Sequence, residues 1–197
     1  KSPYRVLVFD LDGTLTNSQK EVSGRTREAV MRARAAGCEI VLASGRPVDG
    51  ILPVARTLSM DTQGGYVIGL NGAIIVDCRT GQPVYEREIP RRFLPGICRY
   101  AREHEIPLLT YVPGGEISDR PEHPEVIREA KWNNLPLIYT ENFEASIPDP
   151  VENIMLIDHP GPLQKACEEL NRLYGEELTI YCSSPCFMEV LPKGVHK

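Results

Sequence analysis

This 197-residue sequence has no long apolar run, no excess of positive charge and no cluster among its four histidines. No stretch approaches the roughly 18 consecutive apolar residues of a membrane-spanning helix. The opening KSPYRVLVFD carries too short an apolar run for a secretory signal. It also begins with Lys rather than Met, so a trimmed chain is expected. A net charge of −5 argues against a general nucleic-acid binder, which is ordinarily basic. An anionic small-molecule partner stays open, because local charge decides that. With its histidines scattered, the chain is not expected to hold zinc. Internal repeats and low-complexity tracts are missing as well. The six cysteines are irregularly spaced, and CSSPC (182–186) puts three residues between its thiols with no histidine nearby. Reduced, structural thiols in a cytoplasmic protein are therefore expected.

What remains is ordinary in bulk. Hydrophobic residues at 42% and charged residues at 25% fit a globular protein with a sizeable core. The length suits one domain or a domain with a smaller insertion. RVLVF (5–9) reads as a buried strand. A helix follows, with Ser23 as N-cap and Gly37 as its stop. EIVLAS (39–44) is a second apolar strand, and Pro47 suits the first turn of another helix. Strand, helix, strand of this length is a βαβ unit, so the two strands are predicted to be parallel. YVIGL (66–70) is a third strand, and AIIVD (73–77) and PVYEREI (83–89) flank a hairpin turn. Beyond it proline becomes frequent, and helices near 91–105, 122–132 and 161–174 alternate with close-set strands. That texture predicts an α+β module with an antiparallel sheet. The predicted division is a first core segment at 1–80, an inserted module at 81–186 and a return to the core at 187–197.

The stretch VFDLDG places two carboxylates, Asp10 and Asp12, at the tip of a hydrophobic strand. In open parallel α/β sheets, ligands bind at the carboxyl ends of the strands. The same edge should collect Ser44 from the end of the second strand and Asn71 from just after the third. Spacing by one residue lets both carboxylates point the same way from an extended segment. A divalent cation between them would make the pair tolerable, and oxygen ligands suit Mg²⁺. Alternatively, one carboxyl stays protonated beside its charged neighbour. Either state suits a two-step reaction in which one carboxylate attacks and the other shuttles a proton. Gly13 allows a sharp turn and Thr14 offers a hydroxyl. SGRP adds the Ser44 hydroxyl, the accessible backbone of Gly45, the Arg46 guanidinium and a helix N-terminus, each favourable to an anion. A calcium loop is ruled out at its third ligand, where Thr14 stands.

VFDLDGTL, LASGRP, GLNGA and EVLPKGVHK together resemble the haloacid dehalogenase-like hydrolases, and among them the Cof-type phosphatases with a type IIB cap. The resemblance implies an α/β fold: a Rossmann-like parallel-sheet core with an inserted α+β cap domain. It implies Mg²⁺-dependent hydrolysis of a small phosphorylated substrate; charge and hydropathy already lead to the expectation of neither nucleic acid nor membrane as partner. By position, Asp10 would be the nucleophile and Asp12 the acid and base. Mg²⁺ would sit on the Asp10 carboxylate and the Asp12 main-chain carbonyl. Ser44 and Gly45 would receive the phosphoryl group, and Lys197 would neutralise nucleophile and phosphate. Asn71 and Gly72 would form a substrate-side turn, and Arg46 would help with substrate or cap contacts.

The family pattern continues past this lysine with a helix, a strand and an acidic fourth motif. The 197 residues are accordingly expected to be a truncated or incompletely represented form of a longer protein. A fragment completed by another chain and a remnant that only binds phosphorylated ligands are the other readings. Without the further strand, RVLVF should present an apolar edge. Within the inserted module, Tyr111, Glu116, Asp119 and Trp132 are weak substrate candidates that read better as structural residues. His196 reads as merely exposed.

Overall fold

The computed structural model describes residues 3–196. It divides into two compact units, one running up to Glu86 and one spanning Arg87–His196.

The first unit follows the expected alternation. Its elements are β1 (Val6–Asp10), α1 (Gly24–Ala35), β2 (Glu39–Ala43), α2 (Val48–Thr57), α3 (Met60–Gln63), β3 (Tyr66–Gly69), β4 (Ile74–Asp77) and β5 (Pro83–Glu86). They form a five-stranded sheet in the order β1-β2-β3-β4-β5. β1, β2 and β3 run parallel, with Asp10 opposite Ala43 and Ala43 opposite Ile68. β4 and β5 complete the sheet antiparallel. α1 begins where the Ser23 hydroxyl accepts the Thr26 amide at 3.1 Å. Ile40 and Leu42 of β2 pack with Val67 of β3, with Ile51 and Val54 of α2 and with Leu58 just after that helix. Burial of these branched side chains, each contributing roughly 1.5–3 kcal/mol, holds helix to sheet.

β1 is an edge strand of this sheet. Leu7 and Phe9 pack against the core, while Val6 and Val8 on the other face are 52% and 58% exposed. The expected apolar edge is therefore present.

The second unit comprises α4 (Leu94–Glu103), β6 (Leu108–Val112), β7 (Gly115–Ser118), α5 (Pro124–Asn133), β8 (Leu137–Tyr139), α6 (Phe143–Ser146), β9 (Ile154–Ile157), α7 (Pro160–Tyr174), β10 (Leu178–Ser184) and β11 (Phe187–Pro192). Its sheet has the order β10-β11-β9-β6-β7-β8 and is antiparallel except where β7 meets β8. Alternation along β9 sends Ile154 and Leu156 toward α4 and α7, and Met155 and Ile157 toward α5.

Two boundaries differ from the sequence expectation. β5 pairs with β4, so the first unit extends through Glu86 rather than ending at 80. Phe187–Pro192, expected to begin a return to the first unit, is instead β11, hydrogen-bonded between β9 and β10. Its buried Met188 and Val190 contribute to the second unit's core.

Candidate active site

The carboxyl ends of the three parallel strands bring the candidate residues to one edge. Asp10 closes β1. The chain then turns over Leu11, whose carbonyl accepts the amides of Thr14 (3.2 Å), Leu15 (3.0 Å) and Thr16 (2.9 Å). The Thr16 hydroxyl adds a fourth bond to the same oxygen at 2.9 Å. Leu11 and Leu15 are buried anchors, and Gly13 takes the left-handed φ of +78° that the turn requires. Asp12 is thus held on a short, over-determined loop rather than on a mobile tip.

Asp12 is the best-defined polar centre of this edge. Arg46 Nε donates to its Oδ2 at 2.9 Å and Arg46 Nη2 to its Oδ1 at 2.5 Å, a bidentate pair. Lys20 Nζ donates to the same Oδ1 at 2.6 Å. The Asp12 side chain is 29% exposed and that of Arg46 only 9%. Partial burial pushes the Asp12 carboxyl up. The hydrogen bonds from Arg46 and Lys20, with their charges, outweigh it and hold the group below its ordinary value.

Ser44 is buried just beyond β2. Its hydroxyl accepts the Arg46 amide at 3.2 Å, its own amide donates to Ile68 at 2.9 Å, and its carbonyl accepts the Asn71 amide at 3.2 Å. The loop after β3 is unusual: Leu70, Asn71 and Gly72 have φ of +47°, +55° and +104° in succession. Left-handed backbone at two non-glycine residues is strained, and such strain persists only where surroundings enforce it. Here burial of Leu70 and the bond from its amide to the Arg46 carbonyl, 3.0 Å, enforce it. The Asn71 side chain lies against Gly45, where an added Cβ would come within 3.1 Å of its Oδ1. A side chain at Gly45 would thus require the Asn71 amide to give by a few tenths of an ångström.

Asp10, Asp12, Ser44, Gly45, Arg46, Asn71 and Gly72 accordingly share one edge of the first sheet. Lys197 lies outside the described residues. Of the second-unit candidates, Asp119 accepts the Leu108 amide at 2.9 Å, and Tyr111 donates to Glu129 at 3.1 Å and contacts Met155 Sδ at 3.2 Å. Glu116 is fully buried, while Trp132 and His196 are exposed. Lys20 was not foreseen from the sequence. The signal for it is NSQKE (17–21), a polar turn between a strand and a helix in which Asn17 caps the loop.

The donor set bears on a metal. The Asp10 carboxylate and the Asp12 carbonyl are hard oxygens, as Mg²⁺ prefers, but both Asp12 carboxylate oxygens are engaged by cations. Among the described residues, no group of three or more His, Cys, Asp or Glu side chains is arranged to hold a metal. The residues fit Mg²⁺ held by few protein ligands, with water and substrate phosphate filling the rest.

The sequence model of the haloacid dehalogenase-like hydrolases matches residues 7–197. The chain belongs to this family. A haloacid dehalogenase-like hydrolase from Bacteroides thetaiotaomicron has the same fold, with a TM-score of 0.92 and 36% identity over 98% of this chain and 72% of that one. YxeH of Bacillus subtilis is 28% identical over 200 residues, 98% of this chain and 72% of the relative. The HMP-PP phosphatase of Yersinia pseudotuberculosis is 24% identical over 203 residues, covering 98% and 69%. The α/β architecture with two sheets is that of the haloacid dehalogenase-like hydrolases.

Proposed function

We propose that the chain is a Mg²⁺-dependent phosphatase that hydrolyses a small phosphorylated metabolite, of sugar-phosphate type, through an aspartyl-phosphate on Asp10. Its enzyme class is phosphoric monoester hydrolase, the class to which its family and its phosphatase relatives point. The observation that carries the mechanism is Asp10 and Asp12 on one strand tip, two residues from each other, with Arg46 chelating the second.

In the first step an Asp10 oxygen bonds to phosphorus as the bond from phosphorus to the leaving oxygen breaks. Asp12 gives that oxygen a proton. In the second step water attacks the phosphorus, Asp12 takes the water's proton, and the Asp10–phosphorus bond breaks to release phosphate. The ion pairs from Arg46 and Lys20 hold Asp12 as a carboxylate, the form the second step needs. Before the first step it must carry a proton, and a phosphoryl group entering beside Ser44 competes for the Arg46 guanidinium. Ser44 and the Gly45 backbone bind the phosphoryl oxygens, and the strained Asn71–Gly72 turn faces the leaving group. Asp10 and the Asp12 carbonyl would hold Mg²⁺, which supplies positive charge to the phosphoryl oxygens when bound. Lys197 would add further positive charge. The second unit would act as a cap that excludes water and reads the leaving group.

Phosphate release from p-nitrophenyl phosphate, with and without Mg²⁺, tests this reading. Mg²⁺-dependent turnover that disappears in Asp10→Asn supports it. Turnover retained in Asp10→Asn overturns the choice of nucleophile.

The double ion pairing of Asp12 also favours a second reading, a module that binds phosphorylated ligands without hydrolysing them. It expects saturable ligand binding with no phosphate release, even with Mg²⁺ in excess.

A further inference from the structure

Lys20 takes no part in the sequence expectations, yet its backbone is held in an uncommon conformation. It has a φ of +64°, a left-handed conformation uncommon for a long non-glycine side chain. Four hydrogen bonds of a tight turn enforce it. Asn17 Oδ1 accepts the amides of Gln19 (2.9 Å) and Glu21 (3.0 Å). The Lys20 amide donates to the Asn17 carbonyl at 3.0 Å, and the Asn17 amide donates to the Glu21 carbonyl at 3.0 Å. The turn thus closes on itself and aims one side chain back across the loop, where Nζ meets Asp12 Oδ1 at 2.6 Å.

Stability alone does not account for this arrangement. The Lys20 side chain is 33% exposed, and ion pairs that accessible contribute little to folding. The left-handed residue that presents it is itself unfavourable. Strain of this kind, maintained by surrounding hydrogen bonds, concentrates where a side chain must be held for function.

The geometry points to Lys20 as a positioning residue: with Arg46 it pins the Asp12 carboxylate in one orientation. This rests on the reading of Asp12 as the group that moves protons. Arg46 approaches Asp12 through both carboxylate oxygens. Lys20 adds a second cation at Oδ1 from the loop that follows Asp12, so that rotation of the carboxylate breaks contacts to both cations. The Asn17–Glu21 turn is then part of the active-site loop rather than a passive connection between β1 and α1.

Two measurements on the 197-residue chain test the assignment. In p-nitrophenyl phosphate hydrolysis, Lys20→Met is expected to lower kcat about 10- to 100-fold, the scale of a misplaced catalytic group, with KM within about twofold. Lys20→Arg should recover most of the loss. Lys20→Gly, which relieves the backbone but supplies no cation, should not. A kcat for Lys20→Met within about twofold of wild type overturns the assignment, as does recovery by Lys20→Gly. Crystal structures of the same variants need no turnover. The Asp12 carboxylate should leave its orientation in Lys20→Met and regain it in Lys20→Arg, and an unmoved Asp12 in Lys20→Met overturns the assignment. If the wild-type 197-residue chain shows no turnover, the orientation of Asp12 in the variant structures decides the role of Lys20 by itself.

Discussion

Arg46 grips Asp12 with two nitrogens, Nε at 2.9 Å from Oδ2 and Nη2 at 2.5 Å from Oδ1, across 34 residues of sequence. The pair ties the loop after β2 to the loop after β1 and sets the charge state of the carboxylate. Arg46→Ala removes both bonds and leaves a cavity beside a half-buried acid. A fall of about 10²- to 10³-fold in kcat/KM is expected, the scale of losing a charge-stabilising donor. Arg46→Lys should recover little, because an ammonium does not reproduce the planar fork. Steady-state kinetics of both variants check this.

Gly45→Ala is expected to act through Asn71. The new methyl would lie 3.1 Å from Asn71 Oδ1, and the amide must give way. The neighbouring loop is already strained, so the effect should appear as a rise in KM of about tenfold, with a loss of less than about 1.5 kcal/mol in stability. Kinetics and thermal unfolding measured on one preparation separate the two.

The second unit buries acids that should make its stability depend on pH. Glu116 on β7 accepts Asn133 Nδ2 at 2.9 Å, and the same amide donates to Glu129 at 2.8 Å. Glu189 on β11 accepts Asn153 at 2.5 Å and Ser183 at 3.0 Å. Burial pushes Glu116 up to about 8 and Glu189 up to about 7, with Glu129 adding repulsion to both. Each folded-state value lies above the ordinary 4.5, so the folded form holds protons that the unfolded chain has released. Stability should therefore be highest below about pH 4.5 for these groups and fall as pH rises through 7 and 8. The loss is on the order of a few kcal/mol. Glu116→Gln, a neutral isostere, should flatten the upper part of that fall, as urea titrations between pH 5 and 9 can measure, the window being set by about 8 for Glu116.

Val8 is 58% exposed on an edge strand. A charge there discourages strand pairing between molecules. Val8→Lys is expected to reduce self-association in light scattering while changing stability by less than about 0.5 kcal/mol. Equal or greater association would locate the sticky surface elsewhere.

Much of the first unit was legible because its signals are local. Apolar runs ending at Asp10 and Ala43, the Ser23 cap and the Gly37 stop fix strand, helix and strand, and topology then collects Asp10, Ser44 and Asn71 at one edge. The boundary at residue 80 was misplaced because β5, PVYE, is exposed throughout and joins the sheet by backbone pairing alone. FMEVL was readable as a strand, but its partners β9 and β10 are fixed by non-local pairing that no periodicity reveals. β8 escaped notice because it has three residues, mostly exposed. The Lys20 contact depends on a left-handed backbone at a residue type that rarely adopts it, so composition gave no hint of the direction of its side chain.

The most direct test of the central claim is mass spectrometry of the protein quenched during turnover of a phosphate monoester with Mg²⁺. The expected result is a phosphoryl group on the peptide that contains Asp10, absent from Asp10→Asn and lost when substrate is exhausted. Continued turnover with no phosphoryl group on Asp10 would contradict the account.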